Sequence, residues 1–140
     1  MNRSKALKIL LALAGISHLI LGAVAYIAPA NPLAAVAHRF YGATVEVTPQ
    51  LQHVIHILGA YMLAIAVLSW FAFRNPADNK SIILGIVVLL VLRVLQRLIF
   101  ATHVHEHFSI SYTQLIAQSI FFLAIALGLF LLRPRSEAKT

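Results

Sequence analysis

Cysteine is absent from this 140-residue chain. That excludes disulfides, thiol catalysis, thiolate metal sites and dithiol relays, and it leaves the redox compartment open. Acidic residues are scarce as well: four Asp and Glu stand against 11 Lys and Arg, giving a net charge of +7. None of the four (Glu46, Asp78, Glu106, Glu137) falls inside a long apolar run. A proton-coupled exporter built on an intramembrane carboxylate is therefore not expected, nor is acid–base chemistry by paired carboxylates. The chain also lacks a Walker loop, a dinucleotide-binding glycine motif and a GxSxG elbow. Charged residues make up 11% of it, where a soluble domain carries about 25%.

What fills the chain is apolar: 61% of residues are hydrophobic and the mean hydropathy is +0.88. Four runs, 7–28, 51–73, 81–101 and 111–132, each approach the ~20 residues needed to cross a hydrocarbon core. The expected fold is all-α: a polytopic membrane protein forming an antiparallel four-helix transmembrane bundle. One domain spans 1–140, with a polar, frayed cytoplasmic tail at 133–140. The first connector, 29–50, is long and holds Pro29, Pro32, Gly42 and Pro49, and 33–40 suits a short helix lying in the interface. The second, RNPADNK at 74–80, reads as a tight polar turn, and the third, THVHEHFSI at 102–110, is short and histidine-rich. The basic start and Ala28-Pro29-Ala30 allow a cleaved signal peptide in outline. A signal's apolar region runs about 7–15 residues, however, and this one is longer, so it is expected to remain as a span.

Lys and Arg accumulate on the cytoplasmic side of membrane proteins. With the N-terminus inside, Arg3, Lys5, Lys8, Arg74, Lys80, Arg133, Arg135 and Lys139 are cytoplasmic, and Arg39 alone lies outside. Both termini are thus expected in the cytoplasm, in a bacterial inner (plasma) membrane. These basic clusters read as topology signals and contacts to anionic lipid, not as nucleic-acid sites. Trp70, Phe71 and Phe73 suit an inner aromatic belt, and Tyr26, Tyr41 and Tyr112 an outer one.

Polar residues within the spans are unevenly spread. His53 and His56 fall in the outer part of the second span, Arg93, Gln96 and Arg97 in that of the third, and Gln114 and Gln118 in that of the fourth, with His18 near the middle of the first. The inner halves carry almost nothing polar except Lys8 and Ser69. At 100° per residue, Arg93, Gln96, Arg97 and Phe100 share a face, continued by His103 and His107 if the helix runs on. Gln114 and Gln118 share another, Gln52, His56 and Gly59 a third, and Ala14, His18, Gly22 and Ala25 a fourth. Ionisable residues in spans usually face the bundle interior or a wet cavity, so these faces are expected to converge on a polar pocket open to the outer side. Arg93 and Arg97 stay charged. Their compensation must come from Glu46 and Glu106 folding inward, from a partner subunit's carboxylate, or from a small anion or lipid phosphate, which the guanidinium fork fits bidentately. Packing alone is the alternative role for this group: an internal polar network that fixes the helices.

The histidines offer a second chemistry. In an extended segment, His103, His105 and His107 would point one way with Glu106 between them, and His53 and His56 share a helix face. Imidazole and carboxylate ligands without thiolate suit zinc, copper or iron. Haem would need histidines on facing helices at one depth, such as His18 with His56. Against this, interface histidines are commonly solvated or bonded to headgroups and glutamines.

HILGAY at 56–61, with a basic residue followed by Gly and an aromatic, and RVLQRL at 93–98, before the second outer loop, carry a resemblance. Together with the four-span layout they resemble DoxX-like small bacterial membrane proteins, over the second to fourth spans. That resemblance implies a four-helix bundle and no particular activity, and the HVHEH segment departs from it. The expected function is a non-enzymatic accessory subunit or homo-oligomer component, or a binder of an anionic or lipid ligand through Arg93, Gln96, Arg97, Gln114, Gln118 and His18. The alternative is a metal-dependent or redox membrane protein using the outer histidines.

Overall fold

In the computed structural model, residues 2–134 are described, and six helices account for most of them. These are α1 (Arg3–Ile27), α2 (Ala30–Tyr41), α3 (Pro49–Arg74), α4 (Lys80–Ile99), α5 (Ala101–Phe108) and α6 (Tyr112–Leu132). Of the expected frayed tail at 133–140, residues 135–140, with Arg135, Glu137 and Lys139, lie outside the described residues.

The helices start where side chains can take up their orphan amide N–H groups. Asn2 accepts from the Ser4 amide at 3.2 Å, Thr48 from Leu51 at 3.3 Å with Pro49 opening the first turn, and Ser111 from Gln114 at 3.3 Å. Gly42 stops α2 by turning left-handed at φ 67°, a conformation open to a residue without Cβ.

Four helices, α1, α3, α4 and α6, are long and apolar enough to cross a membrane. The shortest, at 20 residues, reaches about 30 Å. Only 22–28% of each span's most apolar stretch is buried inside the molecule. The remaining Leu, Ile, Val and Phe side chains need an apolar medium around them, since water would penalise that much contiguous surface. The chain is therefore an integral membrane protein.

Helix α1 packs most extensively on α3, and α4 on α6. Small residues set the first contact. Gly22 lies against Met62 and Leu63, and Gly59 against Ala25 and Tyr26. The main core joins the end of the bundle that holds α1's start to the α3–α4 turn. It comprises Leu7, Leu11, Ala72, Ile83, Ile86, Val87, Leu90, Ile125, Ala126 and Leu129. A smaller cluster of Ala43, Ile110 and Leu115 closes the opposite end, where the Thr44 amide also donates to the Phe108 carbonyl at 2.8 Å.

Two expectations about connectors meet different outcomes. The short helix expected at 33–40 exists as α2, which is amphipathic and buries Leu33. The histidine-rich segment is not extended: it is helix α5, set off from α4 by a break at Phe100 and stopped by left-handed Ser109 at φ 55°. Eight residues without a proline or glycine can close part of their backbone bonding among themselves in this way, whereas an extended strand there would have no partner strand. At the two ends, the Val104 amide donates to the Phe100 carbonyl and the Phe108 carbonyl accepts from Thr44.

Candidate functional site

Between the α1/α3 pair and the α4/α6 pair, two neighbouring cavities of about 370 and 360 Å³ share Leu21, Tyr41, Met62 and Arg93 as walls. Their volumes fall within the range of small-ligand sites. The first cavity carries the polar groups, with Ser17 and His18 from α1, Tyr41 from α2, Arg93 from α4 and Gln118 from α6. The second is mainly aliphatic, lined by residues such as Val24, Leu33, Val36 and Ile55, with Arg93, Gln96 and Arg97 along one wall.

Both guanidinium groups are half-buried and held by α2 and α6. Arg93 donates to the Tyr41 hydroxyl at 3.2 Å and lies 4.9 Å from the Phe122 ring centroid. Arg97 donates to the Gln118 side-chain carbonyl and lies 5.5 Å from Phe122 and 5.6 Å from Tyr41. The Gln118 amide in turn donates to the Phe40 carbonyl at 3.1 Å, so Gln118 ties α4, α6 and α2 together. Among the described residues no carboxylate pairs with either arginine. Glu46 and Glu106, expected as candidates to fold inward, are both exposed.

His18 is buried at 5% exposure. Its Nδ1 sits 2.8 Å from the Ala14 carbonyl, while its Nε2 has no partner. The remaining candidates divide. Gln96 lines the second cavity but is otherwise exposed. Gln114 packs against Gly42, where any Cβ would overlap its carboxamide, and it lines neither cavity.

The histidines are not gathered. His103 and His107, one turn apart on α5, bring their rings to 4.2 Å. His105 turns elsewhere, donating from Nδ1 to the Ile110 carbonyl at 2.9 Å with its ring 4.6 Å from Tyr112. A helix sends alternate side chains about 200° apart, so the shared direction expected of an extended HVHEH is lost. His53 is exposed, and His56 donates from Nε2 to the Ala28 carbonyl at 3.2 Å. Among the described residues no group of three or more His, Asp and Glu side chains is placed to hold a metal ion. Zinc, copper or iron bound by His53, His56, His103, His105, His107 and Glu106 together does not match this arrangement. Nor does haem between His18 and His56. His56 meets α1 ten residues beyond His18, roughly 15 Å along the helix axis.

Tyr41 and Phe122 are the site residues that sequence reasoning missed. Tyr41 was expected in an interfacial belt, yet its hydroxyl and ring face the arginines. Its spacing from Leu33 and Ala37, four residues apart along α2, carried the signal that it points inward. No protein-family model, curated protein or solved structure matches this chain.

Proposed function

We propose that the protein is a non-enzymatic binder of an anionic ligand, a lipid headgroup or small anion, held by Arg93 and Arg97 in a pocket open to the outer side of the membrane. The observation that carries this is the pair of neighbouring guanidinium groups in a cavity wall with no carboxylate partner among the described residues. A charged arginine toward the bilayer centre costs about 2.5–3.5 kcal/mol on insertion scales. An interhelical hydrogen bond in a membrane returns about 0.6 kcal/mol on average, and a ring face about 0.5–2 kcal/mol. Neither kind of contact neutralises the charge, and two like charges side by side add repulsion. An oxyanion supplies both the missing charge and the acceptors.

The frame for this site is an antiparallel four-helix bundle with both termini cytoplasmic, in a bacterial inner membrane. The α1/α3 contacts support the antiparallel part. Gly15 meets Ser69, Gly22 meets Met62, and Gly59 meets Tyr26, so numbers rise along one helix as they fall along the other. The excess of Lys and Arg at the opposite end from α2 and α5 supports the orientation.

The test is to purify the full chain in a mild non-ionic detergent and identify retained lipids and anions by mass spectrometry. The expected result is about one anionic ligand per chain, lost in Arg93→Ala and Arg97→Ala. Each substitution removes a charge-assisted contact, so binding weakens about tenfold or more. Wild-type protein that retains no anionic species and binds none added would overturn the reading.

A further inference from the structure

A pocket for a bare anion needs only donors, and one residue in the wall of this pocket, His18, holds an unpartnered buried acceptor. His18 Nδ1 lies 2.8 Å from the Ala14 carbonyl oxygen, which can only accept, so the ring proton sits on Nδ1. In the neutral ring Nε2 is then a lone pair. It is buried without a partner, on a residue 5% exposed that lines the same cavity as Arg93. Other polar groups around that cavity are engaged. Ser17 donates its hydroxyl to the Leu13 carbonyl at 2.7 Å, Gln118 uses both ends of its amide, and the Tyr41 oxygen accepts from Arg93. A buried acceptor left empty is costly, and an anionic oxygen placed against it would be repelled.

We infer that the ligand's head combines an ionised acid with a hydroxyl group, the acid resting on Arg93 and the hydroxyl donating to His18 Nε2. This rests on the anion-binding reading above and narrows its ligand to acids that also carry a hydroxyl, hydroxyl-bearing phosphate esters among them. The aliphatic second cavity, which shares the Arg93 wall, suits an acyl chain attached to such a head. A glycerol-headed phospholipid has all three parts, and a soluble glycerophosphate has the head alone.

The experiment loads the full chain in phosphatidylcholine bicelles containing equal amounts of phosphatidylglycerol and phosphatidylpropanol. The two lipids share charge and chains, but only the first carries hydroxyls. After extraction into mild detergent, the lipids retained per chain are counted by mass spectrometry. The expected result is about a tenfold or greater excess of phosphatidylglycerol. The excess should collapse toward equality in His18→Phe and return in part in His18→Gln, whose side-chain carbonyl restores an acceptor. Displacement of both lipids by glycerophosphate, but not by propyl phosphate, would support the same head chemistry with a soluble source. Equal retention of the two lipids by wild type, abolished by Arg93→Gln, overturns the hydroxyl inference and leaves the anion reading standing. Retention of neither lipid, together with no binding of glycerophosphate or propyl phosphate by the wild-type chain, overturns both. Should His18→Phe fail to fold, the wild-type ratio still decides the matter.

Discussion

Arg93 and Arg97 are one residue-level problem with several partial answers. The Tyr41 hydroxyl accepts from Arg93, and the Phe122 ring lies under both cations. Replacing Tyr41 with Phe keeps the ring beneath Arg97 and removes only the acceptor. The expected loss is about 0.6–1.7 kcal/mol, the range of interhelical hydrogen bonds in membranes. Equilibrium unfolding in mixed micelles checks it. Phe122→Leu removes the π face from both arginines and should cost about 0.5–2 kcal/mol. If the pair act on one charge cluster, the double variant will fall short of the sum of the singles, since contacts that share partners are not additive. Strict additivity would show that Tyr41 and Phe122 stabilise the bundle independently of each other. The arginines, Gln118 and His18 were legible in the sequence because polarity in an apolar run stands out. Tyr41 and Phe122 were not, because an aromatic side chain reads the same whether it faces lipid, the interface or a buried cation.

Among the elements, α1 and α3 depend on close approach. A Cβ on Gly59 would stand 2.5 Å from the Tyr26 backbone nitrogen and 2.8 Å from the Ala25 carbonyl carbon. Backbone cannot rotate aside as a side chain can, so Gly59→Ala must push α1 and α3 apart. The expected destabilisation is about 1–3 kcal/mol, as for other overpacked contacts. Gly85 on α4 has nothing within 4 Å of its Cβ position. Gly85→Ala should instead stabilise by about 0.4–1 kcal/mol through the unfolded chain. Thermal melts of the two variants in one detergent should move in opposite directions, and a fall for both would show that α4 also has a neighbour on that side. The face carrying Ala14, His18 and Gly22 could be read from helical spacing, and all three are buried. The form of α5 could not. HVHEH has neither an apolar periodicity nor a breaker, so its eight residues are helical because their local bonds close and Ser109 stops them. The same ambiguity separated His105 from His103 and His107 once the segment coiled.

At the scale of the whole molecule, the pocket has meaning only with a direction. Its polar residues lie toward the end that carries α2 and α5, and the main apolar core occupies the other. If Lys and Arg mark the cytoplasmic side, the ligand arrives from outside and the core seals the inner leaflet against leakage. The natural absence of cysteine makes this directly testable, because any single introduced thiol is the only one to react. Glu46 lies exposed between α2 and α3, and Ala77 lies exposed in the turn between α3 and α4. In intact cells a membrane-impermeant maleimide should label Glu46→Cys at once and label Ala77→Cys only after permeabilisation. The opposite pattern would turn the pocket toward the cytoplasm. The ligand would then have to be an intracellular anion or an inner-leaflet lipid, while the residues that hold it would be the same. Orientation and chemistry are thus separable here, because charge outside the spans sets one and charge inside them sets the other.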